Sequence, residues 1–131
     1  MIGLDTNILA RYITEDDPVQ TAAASRVVDS LSSEDPGFVS LVVLAELIWV
    51  LAISYRYKKN EVEQAIDSLL HSRELVIERK DIVSQAFRLF RTGSADFADY
   101  LIERCAYSAE CEYTITFDQR AARIAGMRLL R

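Results

Sequence analysis

Two aspartates stand where short apolar runs end, and they are the clearest candidates for chemistry in this chain. Asp5 follows the apolar run Ile2–Leu4, and Asp118 follows the strand-like run Tyr113–Phe117. Ligands of open α/β sheets gather beyond the carboxyl ends of the strands, so neighbouring parallel strands would bring both carboxylates to one edge. Each aspartate also fits as the N-cap of the helix that follows it. The sequence therefore predicts an acidic edge and leaves a capping role open for both residues.

Glu46 lies inside an apolar helical stretch, SLVVLAELIWVL, for which Ser40 is the expected N-cap. Its helical neighbours three and four positions away are all apolar: Val42, Val43, Trp49 and Val50. Such a setting predicts burial, and an unpaired buried carboxylate is strongly destabilising. We therefore expect Glu46 to have a partner, which is either a metal ion or an arginine such as Arg11.

A further pair of aspartates, Asp96 and Asp99, flanks Phe97 and Ala98 at the start of a helical pattern. Asp96 fits as the N-cap of this helix. Asp99 lies one turn further in, beside the apolar face, where it can point toward the edge of the sheet. Both also have a structural explanation, since acidic side chains are favourable at the positive end of a helix. The sequence leaves open whether Asp96 belongs to a site or only caps the helix.

Carboxylates brought together in this way would repel one another. At an effective dielectric constant near 20, two unit charges about 4 Å apart repel by roughly 4 kcal/mol. Such a cluster persists only if its members share protons or bind a cation. An all-oxygen ligand set prefers Mg²⁺ or Mn²⁺, and Mg²⁺ held by carboxylates can activate water and neutralise charge on a phosphodiester. The acidic residues therefore predict metal-assisted hydrolysis of a phosphate ester.

Short strand-like runs alternate with helical patterns along the chain and would position these residues. The runs are Ile2–Leu4, Gly37–Ser40, Leu75–Ile77, Tyr113–Phe117 and a last one at Met127–Leu130. Helical patterns fill each interval between the first four runs, and we expect each crossover to hold two helices. Strands separated by helices indicate an α/β domain with a mainly parallel sheet.

Three helix starts carry recognisable signals. Asp17 before Pro18 is typical of an N-cap followed by proline at the first helical position. Asn60 with Glu63 resembles a capping box, and Asp81 is the expected cap of the helix after it.

Composition narrows the chemistry further. The chain has 131 residues, half of them apolar, and a net charge of −5. It contains one histidine, His71, which makes histidine–cysteine zinc sites and a Ser-His-Asp triad implausible. The longest apolar stretch, Leu41–Ile53, is too short for a bilayer, which needs roughly 20 residues. We expect a cytoplasmic protein without membrane association.

Four short motifs occur in order along the chain: DTN at Asp5–Asn7, AEL at Ala45–Leu47, DFADYLI at Asp96–Ile102 and TFD at Thr116–Asp118. Together they resemble the motifs of PIN-domain ribonucleases, in particular the VapC-type toxins of bacterial and archaeal toxin–antitoxin pairs. The resemblance covers residues 1–131 as a single PIN-like domain. It implies a three-layer α/β fold whose central, mainly parallel sheet has four to five short strands flanked by helices.

The resemblance also implies a magnesium-dependent endoribonuclease that hydrolyses RNA phosphodiester bonds, with Mn²⁺ as the other suitable cation. The implied catalytic cluster consists of Asp5, Glu46, Asp99 and Asp118, and its main metal ligands are Asp5 and Asp99. The implied supporting residues are Thr6, Asn7, Asp96 and Thr116. Arg11 and Arg120 are the basic residues that we expect to hold the RNA backbone.

The partners implied by the same resemblance are the RNA substrate, a cognate VapB-like antitoxin and a second copy of the chain. The antitoxin tail is expected in the active-site groove, and the homodimer is expected alone or within a higher toxin–antitoxin assembly.

Two other interpretations follow from the residues themselves. The net charge of −5 is compatible with a non-catalytic acidic α/β module that binds a basic protein or peptide. The expected apolar setting of Glu46 speaks against it. An aspartyl-phosphate receiver would need paired acids at the first strand, where Asp5 stands alone.

Overall fold

Five short strands, all paired in parallel, alternate with seven α-helices along the chain. The computed structural model describes residues 1–131, and the contacts divide them into two compact units, Met1–Glu78 and Arg79–Arg131. The predicted α/β class with parallel strands is confirmed, while the expectation of one domain stays a prediction. None of the helices is long and apolar enough to cross a bilayer.

The first unit, Met1–Glu78, is built on a parallel sheet of three strands in the order β1–β2–β3. The strands are β1 (Ile2–Gly3), β2 (Gly37–Val39) and β3 (Leu75–Ile77). The helices are α1 (Thr6–Thr14), α2 (Pro18–Asp29), α3 (Leu41–Trp49) and α4 (Lys59–His71), with a π-helical turn at Val50–Ser54 after α3. Each crossover between neighbouring strands therefore carries two α-helices, as predicted.

Side chains from the central strand and the helices form the core of this unit. Its most deeply buried members are Val39, Leu44, Leu47, Leu51 and Ile66. One side of α4 packs into this core, since Val62, Ile66, Leu69 and Leu70 are all buried.

Polar side chains cap the start of two of these helices, α2 and α3. The Asp17 carboxylate accepts from the backbone N–H groups of Val19 and Gln20, and Pro18 occupies the first helical position, as predicted. Ser40 Oγ accepts from the Val43 N–H at 3.1 Å, which confirms it as the cap of α3. These bonds satisfy donors that a helix leaves without partners in its first turn.

Two predicted helix starts are wrong. Helix α4 is capped at Lys58, whose backbone N–H donates to Glu61 Oε1 at 2.9 Å, so the proposed box of Asn60 and Glu63 lies inside the helix. The following helix, α5 (Lys80–Thr92), is capped at Arg79, which adopts a left-handed conformation, and Asp81 lies in the first turn. Asp81 instead pairs with the Arg79 guanidinium.

The second unit, Arg79–Arg131, combines three helices with a two-stranded parallel sheet. Its elements are α5 (Lys80–Thr92), α6 (Phe97–Ser108), β4 (Ile115–Thr116), α7 (Gln119–Ile124) and β5 (Arg128–Leu129). Helices α5 and α6 pack together. Phe90 meets Phe97 and Tyr100 edge-to-face, with ring centroids 5.7 and 6.4 Å apart.

A tight turn between α5 and α6 depends on the absence of a side chain at Gly93. A Cβ added there would overlap the hydroxyl of Tyr100, a residue that is almost fully buried. The Tyr100 hydroxyl in turn accepts from the Ala95 N–H at 3.3 Å. The turn that leads into Asp96 and α6 is therefore fixed because the Tyr100 side chain packs directly against the backbone at Gly93.

We expect Gly93→Ala to destabilise the protein by about 1–3 kcal/mol, the usual cost of overpacking. Gly93 has a negative φ, so a loss would be steric and not a consequence of backbone conformation. Urea unfolding of both proteins measures the difference. Gly3→Ala is the matched control, because no heavy atom lies within 4 Å of the added Cβ. Equal stability of the Gly93→Ala protein and the parent would contradict this packing.

Candidate functional site

The acidic residues that follow β1 and β4 both cap the next helix. Asp5 is exposed, and its Oδ1 accepts from the Thr6 N–H at 2.8 Å. Asp118 is exposed, and its Oδ1 accepts from the N–H groups of Arg120 and Ala121 at 2.8 and 3.1 Å. The capping role that the sequence left open is therefore real for both residues. Since both bonds at Asp118 use Oδ1, the cap does not occupy Oδ2.

Thr6 and Thr116 differ in what their hydroxyls contact. Thr116 Oγ1 accepts from the Asp118 N–H at 3.0 Å, so it orients the backbone at the aspartate. Thr6 is 4% exposed, and its Oγ1 is the one buried side-chain polar atom without a hydrogen-bond partner in the protein. A buried hydroxyl without a partner is unusual, and it lies next in sequence to Asp5. Asn7, in the first turn of α1, is exposed.

The expected burial of Glu46 is wrong. Glu46 is exposed on α3. Two of the apolar neighbours from which burial was inferred, Val42 and Trp49, are themselves 78% and 59% exposed. The face of α3 that carries Glu46 therefore points outward, so burial gives no reason for Glu46 to have a partner.

Arg11 is also not the partner of Glu46. Its guanidinium bonds the carboxylate of Asp16 at 2.9 Å and the hydroxyl of Tyr55 at 2.8 Å, while its Nε donates to Gln20. These contacts tie the end of α1 to the start of α2 and to the segment before α4. The Arg11 side chain thus has a structural engagement, and its expected contact with RNA stays a prediction.

Asp99, in the second unit, has surroundings that disfavour its charged form. It is half-buried in the first turn of α6. Burial, and then the negative charges of Asp96 and Asp118, raise the pKa of Asp99 above its ordinary value. The weaker opposing influences are a backbone hydrogen bond at Asp96 and the positive charge of Arg120. Asp96 and Asp118 are therefore both within electrostatic reach of Asp99.

Asp96 occupies the N-cap position of α6, but its side chain makes no capping hydrogen bond. Its backbone carbonyl, not its carboxylate, accepts from the Asp99 N–H at 3.0 Å. Asp96 is exposed, and its negative charge helps to raise the pKa of Asp99, after the larger effect of burial. This observation favours a place in the acidic group over a role as side-chain cap.

The residues of the second unit suit a hard divalent cation. Carboxylate oxygens are the ligands that Mg²⁺ and Mn²⁺ prefer, and a cation would relieve the repulsion that Asp99 experiences. As the side chains stand, neither unit contains three or more His, Cys, Asp or Glu residues arranged to hold a metal ion. The donor chemistry fits such a cation, and the ligand set stays a prediction. So does the meeting of Asp5 and Glu46 with Asp99 and Asp118.

Phe117 is the middle residue of the TFD motif and was given no role in the predicted site, yet it directly precedes Asp118 and is 78% exposed. The sequence signal is an alternation of large apolar residues, Tyr113, Ile115 and Phe117, with threonines. In the structure the three large side chains are exposed, whereas Thr114 and Thr116 are half-buried. An exposed aromatic ring at this position is a candidate for contact with a substrate.

Comparison with protein families decides which family this is, since the PIN domain model matches residues 2–127. The chain belongs to the PIN domain family. The predicted membership is thereby confirmed.

Individual relatives of this PIN domain are distant. A VapC ribonuclease of Aquifex aeolicus (strain VF5) is 23% identical over 119 residues, covering 89% of this chain and 87% of that protein. Among solved structures, the chain is similar to VapC20 of Mycobacterium tuberculosis, a toxin that cleaves the sarcin–ricin loop. The TM-score is 0.47 at 19% identity, over 100% of this chain and 99% of the other.

We expect Asp99→Asn to raise the melting temperature by roughly 1–3 °C at pH 7 in EDTA. A carboxyl whose pKa is raised on folding destabilises the folded state once it is charged. The benefit of the asparagine should shrink as the pH falls toward about 4, the ordinary value for aspartate, where both folded and unfolded chains are protonated. Thermal unfolding between pH 4 and pH 7 measures it.

Asp81→Asn is the matched control for this prediction. Asp81 also lies in the first turn of a helix, but the hydrogen bond from Arg79 lowers its pKa, so its loss should reduce stability at pH 7. If Asp99→Asn lowered the melting temperature as Asp81→Asn does, the repulsion inferred at Asp99 would be wrong.

Proposed function

We propose that this PIN domain is a metal-dependent endoribonuclease, the toxin of a VapBC-type toxin–antitoxin pair, with Mg²⁺ as the cation and Mn²⁺ as its substitute. The observation that carries the proposal is the half-buried Asp99, whose pKa is raised by burial and by the charges of Asp96 and Asp118. Membership of the PIN domain family and the similarity to a VapC ribonuclease support it.

The proposed metal ligands are Asp5 and Asp99, with Glu46 and Asp118 completing the acidic set. When bound, Mg²⁺ supplies a Lewis acid and lowers the pKa of a coordinated water. Asp99 is suited to bind it because a nearby cation would remove the repulsion from its neighbours. Asp118 is suited because its capping bonds use Oδ1 alone.

Other side chains around Asp118 and Asp99 position the reactants. Thr116 Oγ1 holds the backbone N–H of Asp118 and so fixes the direction of the carboxylate. The Asp96 carboxylate makes no capping hydrogen bond, and we propose that it accepts the proton of the attacking water. Arg120 is exposed beside Asp118 and binds a phosphate of the RNA backbone.

The proposed partners are the RNA substrate and a VapB-like antitoxin whose tail lies in the active-site groove. We further propose that the protein acts in the cytoplasm as a homodimer, alone or within a larger toxin–antitoxin assembly. The antitoxin would inhibit the nuclease because its tail, lying in the active-site groove, excludes RNA.

A second candidate function, binding of a basic protein or peptide without catalysis, has one observation in its favour. A groove of about 950 Å³ in the first unit runs between α1, α2 and α4. Its lining includes the carboxylates of Glu15, Asp29, Glu61 and Glu74, and no lysine or arginine. A cationic segment would be complementary to it. The cleavage experiment separates the two candidates.

We expect Asp99→Asn and Asp5→Asn each to reduce cleavage of a mixed RNA substrate by at least about 100-fold, because each removes a proposed ligand. Purified protein is incubated with RNA in Mg²⁺ or in EDTA, and products are resolved on a denaturing gel. Only the parent chain in Mg²⁺ should give fragments.

Asp81→Asn is again the control, since Asp81 is an exposed aspartate paired with Arg79 outside the acidic set. It should cleave RNA as the parent does. Cleavage that persists in EDTA, or that survives both substitutions, would overturn the proposed function. A parent chain that does not cleave but binds a basic peptide would favour the second candidate.

A further inference from the structure

One face of the small β4–β5 sheet is covered with exposed apolar and aromatic side chains. Ile115 stands opposite Arg128 in the parallel register, so these two side chains share one face of the sheet, and Arg128 stacks on Tyr113. Phe117 and Leu130 directly follow β4 and β5, and we call the five residues Tyr113, Ile115, Phe117, Arg128 and Leu130 the β4–β5 face. All five are exposed, and the fractions are 44%, 52%, 78% and 44% for Tyr113, Ile115, Phe117 and Leu130.

Arg128 is part of this face through its contact with Tyr113. The guanidinium carbon lies 3.7 Å from the centre of the tyrosine ring, which is close stacking of a cation on an aromatic face. Such a pair holds both side chains in place while leaving the outer surface of the guanidinium open. A rigid arginine plane is a stacking partner for nucleobases as well as a charge for phosphates.

Positive charge is concentrated in the same part of the chain. The first unit has thirteen acidic and six basic residues, whereas the second has seven acidic and nine basic residues. From Tyr113 to Arg131 there are four arginines and a single acidic residue, Asp118. The β4–β5 face therefore lies in a segment that carries an excess of three positive charges, in a protein whose net charge is −5.

We propose that the β4–β5 face binds unpaired bases of single-stranded RNA by stacking, with Phe117 and the Tyr113–Arg128 pair as the platforms. The proposal rests on the proposed function, because the RNA is the substrate cleaved at the acidic group. Phe117 immediately precedes Asp118, so a base stacked on its ring belongs to a nucleotide close to the scissile phosphate. The face would thus select unpaired over paired RNA.

Single-stranded RNA fits these observations better than a protein partner does. Aromatic rings interleaved with arginines on an open sheet face are the usual means by which proteins bind single strands, since every base offers a face for stacking. The cores of protein interfaces, by contrast, are depleted of charged residues in general. Here an arginine stands in the middle of the face, stacked and exposed.

The test measures the affinity of the full-length protein for a short fluorescent single-stranded RNA by anisotropy, in EDTA so that no cleavage occurs. Phe117→Leu and Tyr113→Leu keep an apolar side chain but remove the ring, and each should raise Kd by about 5-fold or more. Arg128→Gln should weaken binding and reduce the salt dependence of log Kd by about 0.7. Melting temperatures confirm that these exposed substitutions leave the fold intact.

Tyr107→Leu is the matched control. Tyr107 is also exposed and also carries a stacked arginine, Arg104, at 4.3 Å, but it lies at the end of α6, outside the β4–β5 face. It should change Kd by less than about 2-fold. An RNA of the same length without bases should bind the parent more weakly, and Phe117→Leu should cause no further loss with it.

The cleavage assay separates this proposal from the proposed function. With Mg²⁺, Phe117→Leu should raise KM more than it lowers kcat, because stacking is made in the bound substrate before the reaction. If the parent cleaves RNA while Phe117→Leu and Tyr113→Leu bind it as tightly as the parent, the stacking proposal is overturned and the proposed function stands. If the parent binds but does not cleave, the proposed function fails alone.

Two further results would overturn the stacking proposal. One is an equal effect of Tyr107→Leu, which would mean that exposed rings in general contribute. The other is a change of oligomeric state in Phe117→Leu, measured by light scattering, with an unchanged Kd for RNA, since the face would then be a protein interface.

Discussion

Repulsion between carboxylates is the constraint around which the second unit is organised. Asp99 is half-buried, and this burial, followed by the negative charges of Asp96 and Asp118, raises its pKa. Asp118 contributes to folding through its cap of α7, but a charged Asp99 beside Asp96 and Asp118 carries an electrostatic cost that a neutral side chain at position 99 would avoid. The surrounding structure nevertheless fixes it: Tyr100 and Gly93 set the turn before Asp96, and the Thr116 hydroxyl sets the backbone at Asp118. Catalytic sites commonly combine perturbed carboxylates with rigid support.

Much of the fold is readable from the sequence because strands and helix caps leave local signals. All five strands lie within the predicted runs, and Asp17 and Ser40 cap the helices they were expected to cap. The errors at α4 and α5 have a local cause. The spacing of a capping box fits Lys58 with Glu61 as well as Asn60 with Glu63, and a left-handed Arg79 gives no sequence signal. Division of the five strands into a three-stranded and a two-stranded sheet depends on contacts that no local pattern specifies.

The site was only partly predictable, for reasons visible in particular residues. Asp99, Asp96 and Asp118 were found because acidic residues at helix starts are conspicuous in an apolar pattern. The burial predicted for Glu46 was wrong because α3 is apolar nearly all round, so the periodicity of the helix does not show which face meets the core. Phe117 and Arg128 were missed because stacking on an open sheet face needs cross-strand register, which pairs Ile115 with Arg128 only once the fold is known.

Asp118 divides its two oxygens between different tasks. Oδ1 holds the first turn of α7, and the cap leaves Oδ2 for other ligands. Selection for folding and selection for chemistry therefore act on one side chain through separate atoms. A descendant of this chain that lost its activity would still be under pressure to keep an oxygen acceptor at position 118. Persistence of aspartate or asparagine there is therefore poor evidence of retained function.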